Sequence, residues 1–167
     1  MTITYRAGTP ADAVGLAEMM RASAAIAFRV VYPAFPRDSE PPSVEDLAPG
    51  WVGITVVAEL DGEIIGGGIV GEDPTVPSGW LIDRLYVHPD HWSSGVGAEI
   101  LPRLVAAARS AGATSINLWA LEISDGSRRF YERHGWRLVP GRTAPNEGSD
   151  VLDVLYQLDS ADDAFAG

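Results

Sequence analysis

Residues Leu85–Ala98 constrain the fold more than any other stretch of this chain. Leu85-Tyr86-Val87 closes an apolar run that begins at Trp80, His88–Ser94 reads as a turn, and a helix of small and apolar residues follows from about Gly95 to Ser110. A strand that passes through a short turn into a helix must bury an apolar face on each element, which calls for layered α and β structure. The first turn of such a helix leaves about four backbone N–H groups without partners. The helix macrodipole adds partial positive charge at the same end. Gly95 and Gly97 let a ligand come close to that backbone. The segment therefore predicts an anion site suited to a pyrophosphate. It is not a P-loop, because no Gly-Lys-Ser/Thr follows, and Ile100 stands where a dinucleotide fingerprint needs its third glycine. Taken alone, Gly95-Val96-Gly97 fits a glycine-softened helix start better than a ligand site.

The rest of the chain supplies the partners of that unit. Ile3–Ala7 alternates like a short strand. Thr9-Pro10-Ala11-Asp12 then reads as a helix start, with Thr9 as N-cap and Asp12 three residues on. A helix through Ala13, Leu16, Ala17, Met19, Met20 and Ser23 shows an apolar face. Residues 32–49 carry five prolines and read as irregular, with a short helix at Ser43–Leu47. Thr55–Leu60 and Glu63–Val70 predict a hairpin closed by Asp61-Gly62. Gly66-Gly67-Gly68 predicts a bulge or a close backbone approach in its second strand. Trp80–Val87 and Thr114–Glu122 read as further strands. Pro102 sits inside the helix between them and is expected to kink it or remove one hydrogen bond, and Gly112 stops it. Ser124–His134 reads as a helix stopped by Gly135, and Trp136–Val139 and Val151–Leu158 as closing strands. The expected class is α+β (mixed α/β), one domain over residues 1–159 with a frayed tail at 160–167.

Acidic residues outnumber basic ones by 23 to 12, a formal charge of −11. That field disfavours nucleic acid and anionic membranes and suits a cationic partner. Solubility alone also explains it. The chain has no cysteine, which excludes disulfides, cysteine-ligated metal and a thiol nucleophile. Neither a leader pattern nor an apolar run of spanning length is read, so a cytoplasmic chain without metal is expected.

Val87-His88-Pro89 followed by Gly95-Val96-Gly97 resembles the acetyl-CoA-binding motif of the GNAT (GCN5-related) N-acetyltransferases, with Trp92 at a position the family fills with Gln or Arg. Arg129-Phe130-Tyr131-Glu132-Arg133-His134-Gly135-Trp136 resembles that family's second motif, Phe-Tyr-Glu-x-x-Gly-Phe. The resemblance spans roughly Ile3 to Leu158. It implies the GNAT acyl-CoA N-acyltransferase fold, a central mixed, splayed β-sheet with helices on both faces. It also implies acetyl transfer from acetyl-CoA to an amine by direct attack. By that resemblance, the backbone of Leu85, Tyr86 and Val87 pairs with pantetheine. Trp92, Ser93, Ser94, Gly95, Val96, Gly97 and Ala98 surround the pyrophosphate. Ser124 stands where the family has an Asn that contacts pantetheine, and Ser127 replaces a usual alanine. Tyr131 is the candidate acid for the leaving thiolate, and Asp83 and Glu122 are candidate bases for the amine. Each of those two carboxylates is equally an ordinary solvated or paired side chain.

The family's acceptor pocket maps onto Phe28, Tyr32, Phe35, Asp38, Glu40 and Trp51. Aromatics with carboxylates suit a small cationic amine. A prolyl loop packing its own aromatics explains the same residues as well. Transfer to a protein or peptide, and a non-catalytic acyl-CoA-binding module, are the alternative readings. A homodimer is compatible with the sequence.

Overall fold

The structure, a computed structural model, describes residues 2–31, 43–51, 53–76, 78–146 and 151–158. The expected tail at 160–167 lies outside them. In chain order the elements are β1 (Thr4–Ala7), α1 (Ala13–Val31), α2 (Val44–Leu47), β2 (Ile54–Leu60), β3 (Glu63–Glu72), β4 (Gly79–Val87), α3 (Val96–Ser110), β5 (Ser115–Leu121), α4 (Asp125–Arg133), β6 (Arg137–Pro145) and β7 (Leu152–Leu158). Seven strands form a mixed sheet in the order β1-β2-β3-β4-β5-β7-β6. The chain divides into two compact units, Met1–Val70 with Arg84–Ala107, and Gly71–Asp83 with Ala108–Gly167.

In the first unit, β1, β2 and β3 pair antiparallel. The β2–β3 turn is the expected one. Asp61 and Gly62 sit at φ +52° and +86°, the two positive values that match the twist of a tight hairpin. Ala58 pairs with Gly66 and Glu59 with Ile64, so Ile65 is the extra residue of a bulge in β3. The three glycines beyond it make room for helices. A Cβ at Gly67 would overlap Leu16 of α1, while one at Gly66 would lie 2.9 Å from Val96 of α3. Alternate strand residues point to opposite faces, so α1 and α3 approach β3 from opposite sides. Leu16, Met19, Trp51, Val57 and Ile69 form the buried cluster, with Met20, Ile64 and Tyr86 packed against it. Each large aliphatic side chain so buried contributes about 1.5–3 kcal/mol.

Before α1, the Asp12 carboxylate accepts from the Thr9 backbone N–H at 2.7 Å, the reciprocal half of a capping box. Arg6 clasps the same carboxylate through two nitrogens, at 2.9 and 2.8 Å, and reaches Glu59 at 2.8 Å. Helix α1, whose apolar face was read from Ala13 through Ser23, runs to Val31, so it stops short of the proline-rich stretch read from residue 32.

In the second unit, β4 pairs parallel with β5 from Gly79↔Ser115 to Ile82↔Leu118, and β5 pairs antiparallel with β7. Ile116, Leu118, Val154, Tyr156 and Leu158 are buried, as is Asn117, whose side-chain oxygen accepts from Gln157 at 3.1 Å. Both helix stops behave as expected. Gly112 and Gly135 take φ +100° and +86°. The next residues, Ala113 and Trp136, donate back to Ala108 and Tyr131 at 3.0 and 3.1 Å. Those are the long bonds of the Schellman motif.

One boundary differs. The sixth strand was expected to end at Val139, but β6 continues to Pro145 through Pro140 and Gly141. It lies at the sheet edge, where a missing N–H leaves no ladder bond unmade. A register shift between Leu138 and Thr143 absorbs the extra residues.

Candidate functional site

The segment predicted to bind an anion lies at the end of β4 in the first unit. A short 3-10 turn, Pro89–His91, leads out of the strand. Its bonds run from His91 N–H to His88 O (2.9 Å) and from Trp92 N–H to Pro89 O (3.1 Å). Ser93 then adopts φ +61° and Gly95 φ +87°. A left-handed serine is uncommon and costly, and such residues gather where a loop must hold one shape. The first helical bond of α3 is Glu99 N–H to Gly95 O at 3.1 Å. The amides of Gly95, Val96, Gly97 and Ala98 precede it and form the donor-rich helix end. A Cβ at Gly95 would meet nothing within 4 Å, so space is open beside that backbone. These donors fit a diphosphate.

Several expected site residues take parts that their sequence position did not reveal. The Ser94 N–H is already directed to His91 O at 3.4 Å, and the Ser94 hydroxyl also donates there. Val96 is buried to 1% exposure, so it presents only its main chain to a ligand. Trp92 is exposed, yet its indole N–H turns back and donates to Val87 O at 2.7 Å. Leu85, Tyr86 and Val87 are half-buried at the end of β4. Glu99 puts a carboxylate in the first turn of α3, but Arg103 one turn on pairs with it at 2.6 Å and offsets its charge.

The second unit carries the other motif. Tyr131 lies half-buried on α4, its ring 5.2 Å from Phe130, 6.3 Å from Trp136 and 6.2 Å from Tyr156. Ser124 and Ser127 join hydroxyls at 2.9 Å at the start of the helix. Asp83 is exposed on β4, one residue beyond the last ladder pair with β5. Glu122 is exposed just after β5, and its carbonyl accepts from Arg128 at 3.2 Å.

Sequence reasoning missed Tyr156. This residue is fully buried, and its hydroxyl accepts from Arg128 Nε at 3.1 Å and donates to Glu132 at 2.8 Å. Burial raises the pKa of its phenol, and Arg128 only partly opposes that. An alternating apolar strand gives no sign that one member will anchor a helix.

The acceptor residues are placed unevenly. Tyr32, Phe35, Asp38 and Glu40 lie outside the described residues, as does the side chain of Phe28. Trp51 belongs to the core cluster of the first unit, with the Arg84 guanidinium 5.4 Å from its ring centre. It was read as a pocket-lining candidate, and it is buried to 8% exposure within that cluster.

The acetyltransferase (GNAT) family profile matches residues 18–136. A Mycobacterium tuberculosis protein described as a probable N-acetyltransferase is 33% identical over 105 residues, which cover 61% of this chain and 58% of that protein. The chain thus spans somewhat over half the length of that relative. Among solved structures, a GCN5-related N-acetyltransferase from Rhodopseudomonas palustris aligns over 95% of this chain and 96% of its own, at 23% identity and TM-score 0.74. The yncA protein of Salmonella typhimurium, solved with its cofactor acetyl-CoA, aligns over 95% and 94%, at 18% identity and TM-score 0.73. The motif at the end of β4 and the Phe-Tyr-Glu helix α4 both fall inside the matched span, and by that match the chain belongs to the acetyltransferase (GNAT) family.

Proposed function

We propose that this protein moves an acetyl group from acetyl-CoA to the primary amine of a small cationic molecule, by direct attack. The observation that carries the reading is the open first turn of α3, with Ser93 and Gly95 both left-handed, inside the span matched by the family. Amides 95–98 would bind the diphosphate by dipole and hydrogen bond, which an acidic chain can do without cationic side chains. The Val87 backbone N–H would polarise the thioester carbonyl.

Tyr131 would protonate the departing thiolate. A phenol of pKa near ~10 donates readily to a thiolate of pKa near ~8.5. Asp83 and Glu122 are the proposed bases for the ammonium, directly or through water. Both are exposed, which allows a proton to leave to solvent. The chain's negative charge of −11 would raise the local concentration of a cation.

The test is thiol release from acetyl-CoA with a panel of small amines and of peptides. Release stimulated by a small cationic amine supports the proposal. Release with peptides alone moves the acceptor to a protein amine. A folded protein that binds no acyl-CoA saturably at low ionic strength would end the reading.

A further inference from the structure

The Val87–His88 peptide is held from both ends. Its carbonyl oxygen accepts from Trp92 Nε1 at 2.7 Å. Its N–H, that of His88, donates to Ile65 O at 2.8 Å. Ile65 is the extra residue of the β3 bulge, without a partner in the β2 register. One peptide plane at the exit of β4 is thereby fixed by a side chain five residues later and by a neighbouring strand. From Pro89 to Gly95 the backbone bonds are short and local, and Ser93 holds a left-handed conformation that a serine does not favour. Such a conformation persists only where its surroundings over-determine it.

We infer that Trp92 is a positioning residue. Its indole N–H holds the Val87 carbonyl and so fixes the direction in which the loop leaves β4 and presents amides 95–98. The ring itself is not the ligand contact. The inference rests on the proposed acetyl-CoA reading for its effect on binding, but the clamp itself is a property of the free protein. A neutral, solvent-accessible hydrogen bond is worth about 0.5–1.5 kcal/mol, so its loss should weaken a site it preorganises by roughly 3- to 10-fold.

Two variants separate donor from ring. Trp92→Phe keeps an aromatic ring and removes the N–H. Trp92→Gln removes the ring but carries an N–H the same number of bonds from Cβ. Two measurements are made on each: calorimetric binding of CoA, and hydrogen exchange of the His88 amide without ligand. In Trp92→Phe, His88 exchange should quicken and the CoA Kd should rise about 3- to 10-fold. Trp92→Gln should restore both towards the parent. KM for acetyl-CoA should follow Kd, with KM for the amine unchanged. Unaltered His88 exchange in Trp92→Phe overturns the clamp. Equal weakening in both variants overturns it too, and assigns the ring to direct contact with the cofactor. If the parent itself binds no CoA, the acetyl-CoA reading fails, while His88 exchange still decides whether the clamp exists.

Discussion

Tyr156, fully buried on β7, donates its phenolic hydrogen to Glu132 on α4 at 2.8 Å. Arg128, one turn earlier on the same helix, donates to the same oxygen at 3.1 Å. The helix bearing Tyr131 is therefore held to its sheet by a polar anchor as well as by apolar packing. Removing one hydroxyl leaves two charged partners less well satisfied. Tyr156→Phe should destabilise the protein by about 1–3 kcal/mol. Urea unfolding should show a lower midpoint at unchanged slope. A midpoint equal to the parent's would show that water replaces the phenol without cost.

Gly68 tests how tightly α3 sits on β3. A Cβ there would lie 2.5 Å from Leu104 Cδ1 and 3.1 Å from the Arg84 carbonyl oxygen. Leu104 is buried to 0% exposure, and the Arg84 carbonyl is backbone that a rotamer change cannot move. Gly68→Ala should cost about 1–3 kcal/mol. Gly71→Ala on the same strand, where a Cβ meets nothing within 4 Å, should change stability by less than about 0.5 kcal/mol. Thermal melts of the pair give the comparison, and equal losses would contradict the packing account.

Asp12 makes stability depend on acid. Hydrogen bonds from Arg6, helped by those from Thr9, hold its carboxyl well below the usual carboxylate range despite partial burial. A depressed carboxylate stabilises the fold at pH values above its unfolded pKa of about 3.9. That contribution is lost as pH falls through the lower folded value. Asp12→Asn should therefore lower Tm at pH 7, and the gap to the parent should shrink steadily below about pH 4. Melts across that range check it, and a gap that is constant with pH would assign the stabilisation to packing instead.

Tyr131→Phe tests the proposed acid. General-acid help is worth about 100-fold or more when proton transfer limits the rate. kcat should fall on that scale while KM for acetyl-CoA stays within about 3-fold, because the ring and its contacts with Phe130 and Trp136 remain. Steady-state kinetics at saturating amine decide it. An unchanged kcat, with chemistry shown to limit the rate, removes Tyr131 from the reaction.

What the sequence determined by itself was whatever a few neighbouring residues could decide. The Asp61-Gly62 turn, the Thr9–Asp12 helix start and the stops at Gly112 and Gly135 follow from backbone preferences and bonds spanning six residues or fewer. The strand, turn and helix of the loop proposed to hold phosphate were legible for the same reason, since unpaired amides at a helix start are a local consequence of those elements in succession. Tertiary structure decided the rest. Gly66, Gly67 and Gly68 became intelligible only once Val96, Leu16 and Leu104 were seen filling the missing Cβ positions. Pro140 and Gly141 looked like the end of a strand because edge position, which excuses a missing donor, is not written in the strand itself. Trp92 at its motif position carried no hint of Val87, and Tyr156 none of Glu132. A polar side chain takes the partner that the assembled fold brings within about 3 Å, and short-range sequence pattern does not record that distance.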